Sequence, residues 1–236
     1  MMMVAGFKTL RGRQGKEKKV KEPEYQVFSI AADNAPVPGC TVSRLISELN
    51  SCPVFHFSLA RRTSISPESY PVSKLWVVAS GSMDAVVSDG RNKLKQGDLY
   101  VTPVGVPVGT EAEENCVYTE ITLTKETVMN DIIKAGEVFA LKELLPIQKD
   151  RIVNMNIISD DKVKFALMSF DEGTGLTEHA APGEALVFAL EGKGIIGYEG
   201  KEYPISAGQN FKFAKNGAHY VKADGPFKMA LLLMFE

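Results

Sequence analysis

Histidine and cysteine are both scarce in this chain, three of each in 236 residues. Cys40, Cys52 and Cys116 show no metal-ligand spacing, and an odd count argues against a disulfide framework. Reduced thiols in a cytoplasmic protein are therefore the expectation. Long apolar runs are missing too. Met1–Phe7 is too short for the apolar region of a signal peptide, and nothing approaches the ~20 residues of a membrane span. Nor is there a basic excess: 27 Lys and Arg face 29 Asp and Glu, a net charge of -2. A phosphate-binding surface usually leaves such an excess, so neither nucleic acid nor membrane is an expected partner. The composition that remains, 44% hydrophobic and 24% charged, suits a soluble protein with a substantial core.

Charge is unevenly placed. Residues 1–24 hold seven Lys and Arg against Glu17, Glu22 and Glu24. This stretch reads as a solvated, frayed basic arm.

An internal repeat organises the remainder. Shifted by 111 residues, Val27–Val108 aligns without a gap on Val138–His219. Pro71 falls on Pro182, Leu75 on Leu186, Gly81 on Gly192 and Gly97 on Gly208. The identities are few, but they include turn glycines and a proline, whose backbone roles are the most restrictive. Two copies of one domain are expected, at 25–124 and 138–236.

Within each copy the pattern is β. Leu75–Ala79 and Leu186–Leu190 are continuous apolar runs, as in strands buried on both faces. Asp89-Gly90 and Glu199-Gly200 supply hairpin turns at nearly the same point of each copy. Cys40–Asn50 alone could be a short helix, but its counterpart at 151–161 is β-branched, so both read as strand and turn. One helix is expected, in a linker at 125–137. There Lys125–Ala135 places Val128, Met129, Ile132 and Ile133 on one side, with Gly136 as its stop. Short strands without βαβ alternation make the fold class all-β, a sandwich or barrel in each half.

At this point the residues resemble a known family. Gly97-x5-Pro103-x-Gly105 is similar to the second cupin motif, and Gly208-x5-Ala214-x-Asn216-x2-His219 repeats it with the family's histidine. The run from His179 through Glu184 to Gly192 matches the first cupin motif in part. The resemblance covers both repeats and implies a bicupin, two tandem jelly-roll barrels.

Cupins commonly hold a divalent metal (Zn, Ni, Mn or Fe) through two histidines and a glutamate of the first motif and the histidine of the second. Carried over position by position, His179 and His219 fall on ligand positions, and Ala181 and Ala185 stand where the other two ligands belong. The N-terminal copy has Glu68, Tyr70, Lys74 and Val108 at the four places, so no metal is expected there in the family's manner. Two histidines are fewer than the three or four protein ligands a bound ion normally has. Glu184 completes the set only if the strand entry shifts by one residue, because neighbouring side chains on a strand point to opposite faces.

The expected site is therefore a C-terminal barrel that binds a small organic ligand, with His179, His219 and Glu184 as polar groups and Val187, Phe211 and Phe213 as apolar walls. Metal binding is at most weak in this reading. The alternative implied by the resemblance is a metal-dependent dioxygenase, decarboxylase or isomerase acting on a small organic substrate. A catalytic residue cannot be assigned from spacing. His56 and Trp76 read as packing residues, and the N-terminal barrel as a structural partner. Exposed barrel edges leave room for a homodimer.

Overall fold

The structure, a computed structural model, describes residues 22–47, 52–88 and 90–235. The first repeat supplies β1 (Thr41–Ser47), β2 (Val54–Leu59), β3 (Thr63–Glu68), β4 (Lys74–Ser80), β5 (Ser82–Val87), β6 (Gly90–Lys95), β7 (Asp98–Val101), β8 (Val108–Ala112) and β9 (Cys116–Thr122). Two short strands follow, β10 (Val128–Met129) and β11 (Val138–Ala140). The second repeat supplies β12 (Ile152–Ser159), β13 (Val163–Phe170), β14 (Gly175–Ala180), β15 (Glu184–Tyr198), β16 (Lys201–Ser206), β17 (Asn210–Phe213) and β18 (Ala218–Met234).

The repeat seen in the sequence is a repeat of structure. β6 and β16 are offset by 111 residues at both ends. β15 joins the counterparts of β4 and β5 into one strand, and β18 joins those of β8 and β9. Gly81 and Gly192 share a left-handed backbone, φ 69° and 77°. A Cβ at either would overlap a backbone carbonyl, that of Asn115 in one copy and of Pro226, its counterpart, in the other. Only glycine fits both the conformation and the close approach.

All pairings are antiparallel. β1-β2-β9-β4-β7-β11 form one sheet and β3-β8-β5-β6 the other wall of the first barrel. In the second barrel β10-β12-β13-β18-β15-β16 form one continuous sheet, with β14 on β18 and β17 on β15. The apolar strands serve two cores at once, because alternate side chains face opposite ways. Leu75 and Val77 of β4 meet Leu186 and Phe188 of β15 in a core shared by the barrels. Trp76 and Val78 point into the first barrel, and Ala185, Val187 and Ala189 into the second. Each fully buried Leu or Phe contributes about 1.5–3 kcal/mol, so the shared layer ties the barrels into one body.

Each repeat also lends its opening residues to the other barrel. β11 pairs with β7, Phe139 opposite Leu99. Phe28, the counterpart of Phe139, bridges to Asn210 of β17, the counterpart of Leu99. The exchange covers an edge of each sheet that would otherwise present unpaired backbone groups.

Two expectations need correction. Lys125–Ala135 is not a helix; it consists of turns and β10, which pairs with Ser159 and Ile158 of β12. Val128, assigned to a buried face, is 70% exposed, whereas Ile133 is buried. An 11-residue helix is marginal by itself. The sheet edge offers more: Asn130 N–H donates to the Ile157 carbonyl at 2.9 Å, and Thr124 and Thr127 both donate to the Asp160 carboxylate. Among the described residues the one α-helix is the single turn α1 (Ile30–Asp33), capped by Ser29. The second correction concerns the basic arm. Residues 1–21 lie outside the described residues, but Glu22 is only 2% exposed and Glu24 is paired, so the arm does not extend to residue 24 as a frayed segment.

Candidate functional site

β14 and β18 bring the two ligand-position histidines together. His179 and His219 are directly opposed in the strand register, and their ring centroids lie 4.3 Å apart. Each Nδ1 is 2.8 Å from the carbonyl two residues earlier, Thr177 for His179 and Gly217 for His219. A carbonyl can only accept, so both Nδ1 atoms carry the proton. The Nε2 atoms of both rings remain to meet a ligand. The two rings differ in setting. His179 is exposed, and His219 is buried against Phe213, whose ring is stacked on it at 4.0 Å. Burial pushes the His219 pKa below the usual imidazole range; the Gly217 hydrogen bond opposes this and His179 adds to it. His219 is thus held neutral near pH 7.

The expected apolar walls lie where the strand alternation puts them. Val187, Phe211 and Phe213 all face the second barrel's interior with Ala185. They are joined by Tyr198, which sits 5.6 Å from Phe211 and 5.4 Å from Phe213. Glu184 is not brought to the histidines. It precedes Ala185, points to the other face of β15, and pairs at 3.0 Å with the buried Lys212. One residue of shift on a strand is a change of face, and the register gives no such shift.

The residues present do not fit a metal of the family's kind. Ala181 and Ala185 are buried at two of the four ligand positions, and among the described residues no group of three or more His, Cys, Asp or Glu could hold an ion. Two imidazoles, those of His179 and His219, remain.

The equivalent place in the first barrel is occupied by charge. Lys74 Nζ lies 2.6 Å from a carboxylate oxygen of Glu120 and 3.9 Å from the centre of the Tyr70 ring. The other Glu120 oxygen accepts from Trp76 Nε1 at 2.8 Å. Tyr70 in turn reaches Glu68 at 3.3 Å, and burial first, then Glu68 and Glu120, push its phenol well above the usual range. Sequence reasoning found Tyr70, Lys74 and Glu68 but missed Glu120, because its counterpart is Leu231 and the repeat offers no signal there. Trp76 is a packing residue as expected, between Tyr100 and Tyr118, with the added hydrogen bond.

His56 is also buried away from both barrel interiors. It sits 3.0 Å from Thr119 Oγ1 and 3.2 Å from the Glu22 carboxylate, which also takes Arg44. Burial raises the Glu22 pKa, but His56 and Arg44 outweigh it, and the carboxyl stays below its usual range. Two clefts open elsewhere. One of about 370 Å³ lies between the barrels, lined by Gly97 and Gly208 among others. The other, about 280 Å³, lies outside the histidine pair, along Thr177, Glu178 and Tyr220.

Residues 166–235 match the Cupin_2 model, a cupin domain. No curated protein matches the sequence. Among solved structures, a Cupin 2 conserved barrel domain protein from Leptotrichia buccalis is similar over 92% of this chain and 99% of its own, with 24% identity and a TM-score of 0.81. A mutant of salicylate 1,2-dioxygenase from Pseudoaminobacter salicylatoxidans is similar over 80% and 71%, at 12% identity and TM-score 0.60. A mutant of oxalate decarboxylase from Bacillus subtilis is similar over 91% and 78%, at 14% and 0.54. These likenesses concern the fold. No helix among the described residues is long and apolar enough to cross a membrane. The second repeat thus carries a cupin domain, and the two repeats together build a tandem of two barrels of the cupin fold.

Proposed function

We propose that the protein is a binding bicupin whose C-terminal barrel takes one small organic molecule. The observation that carries this reading is the histidine pair, with both Nδ1 atoms committed to backbone and both Nε2 atoms left for a ligand, beside two alanines where metal ligands would stand. The neutral Nε2 of His219 accepts a hydrogen bond from a hydroxyl or a protonated acid. His179, exposed beside it, offers its own Nε2 to the polar end of the ligand. Val187, Phe211 and Phe213 supply the apolar wall. The N-terminal barrel serves as the structural partner, its own site closed by Lys74. A cytoplasmic place and a homodimer fit this reading.

Metal analysis of the purified protein, with isothermal titration of small organic acids, tests it. Binding without a stoichiometric metal is the expected outcome. One equivalent of Fe, Mn, Ni or Zn per chain, lost on His219→Ala, would overturn it in favour of a metal-dependent enzyme. That second reading is favoured by the named activities of the salicylate dioxygenase and oxalate decarboxylase that share the fold.

A further inference from the structure

The residue that begins the exchanged segment of the first repeat departs from its counterpart. Gly136 precedes β11 with φ 87°, a left-handed conformation natural to glycine. At the same place in the first repeat stands Tyr25, also left-handed at φ 61°. A bulky residue in that region is a genuine outlier, and such strain is found where the surroundings impose it, often at a ligand site. Here the surroundings are identifiable. On one side of Tyr25, Glu24 pairs with Lys212 at 3.5 Å. On the other, Phe28 and Asn210 exchange two backbone hydrogen bonds of 3.0 and 2.8 Å. The segment is thus pinned along β17, and the Tyr25 ring is laid on Tyr198 at 5.1 Å while remaining 53% exposed.

Tyr198 is no ordinary neighbour. It is the register partner of His219 across β15 and β18. Its phenol accepts from the Ala214 N–H at 3.0 Å, and its ring touches Phe213, which stacks on His219. A chain of aromatic contacts therefore runs from the exposed Tyr25 to the buried histidine. At the equivalent places of the first barrel the counterparts of Tyr25 and Tyr198 are Gly136 and Val87, which carry no ring.

We propose that Tyr25 is the outer wall of the C-terminal barrel's ligand site and selects a ligand with a flat apolar face, which packs on the tyrosine pair while its polar end reaches His219. This rests on the reading of that barrel as a small-molecule site, but its test does not depend on metal content.

The test is chemical modification of the full-length protein by diethyl pyrocarbonate, followed residue by residue by peptide mass spectrometry. In the native protein, exposed His179 reacts quickly and His219 slowly. Tyr25→Gly installs the residue the other repeat uses at this backbone conformation, so the fold is retained. It is expected to speed His219 modification severalfold and leave His56 unchanged, whereas Tyr25→Phe keeps the native rate. Glu24→Gln, which loosens one anchor without touching the ring, gives a smaller increase. Equal His219 rates in the native protein and Tyr25→Gly overturn the wall. Benzoate, a flat ring with one acidic end, is expected to protect His219 in the native protein and in Tyr25→Phe but not in Tyr25→Gly. Protection as strong in Tyr25→Gly as in the native protein, or none in any of the three, overturns the ligand class. A stoichiometric metal lost on His219→Ala would sink the binding reading and leave the Tyr25 result standing.

Discussion

The two barrels start from one backbone and treat its central site in opposite ways. In the first, position 74 carries a lysine whose ammonium is clasped by Glu120 and covered by the Tyr70 ring. In the second, the same position is Ala185, the partner of Glu120 is Leu231, and two histidines face each other across a strand pair. The first barrel holds its own cation and hydrogen-bonds it internally, whereas the second leaves two imidazole nitrogens without a partner among the described residues. The shared frame does not dictate chemistry. A few inward positions do, and they can be exchanged because the glycine turns and the common core hold the strands whatever those positions carry.

Breaking the charged site of the first barrel should have the largest effect. Lys74→Met leaves the Glu120 carboxylate, 3% exposed, facing Trp76 Nε1 alone. Losing one partner of a buried ion pair costs roughly 3–5 kcal/mol, read as a lower urea midpoint. The double change Lys74→Met with Glu120→Leu imitates the apolar second barrel and should recover most of that loss. If the double variant is no more stable than the single one, the pair is not the unit described.

Next in size is the frame itself. Gly81→Ala and Gly192→Ala should each cost about 2 kcal/mol or more, since both add strain at positive φ and overlap a carbonyl. Similar losses in the two copies, measured by denaturant unfolding, would show that frame and site are separable. A large effect in one copy only would break the comparison.

The smallest effect concerns pH. His219 is held neutral, its folded pKa depressed by burial. Its stabilising contribution is therefore complete above the unfolded pKa of about 6.5. It is lost as pH falls toward the folded value, where the unfolded chain takes up a proton that the folded one resists. Thermal unfolding between pH 7.5 and 5 should show a shallower acid decline for His219→Gln than for the native protein. The same slope in both would remove the distinction drawn between the two histidines.

Much of this was legible in the residues and some was not. The turn glycines and apolar runs gave away the duplicated β-fold because their backbone demands recur at one spacing. His179 and His219 were legible as a pair by family spacing. Glu184 was not legible as an outward residue: whether it faces His179 or Lys212 depends on where β15 enters the sheet. The stretch Lys125–Ala135 misled, since its helical spacing was real but the edge of β12 offered better hydrogen bonds.

By itself the sequence determined the duplication, the all-β class and the loss of two ligand positions, all properties of local backbone preference and of residue identity. Only the tertiary structure decided that each repeat's opening residues cross to the other barrel, that Glu120 answers Lys74, and that Tyr25 lies on Tyr198. Those contacts join residues as many as 182 positions apart, Phe28 and Asn210, and no periodicity reports a pairing that distant. They are settled by which faces the shared core turns inward.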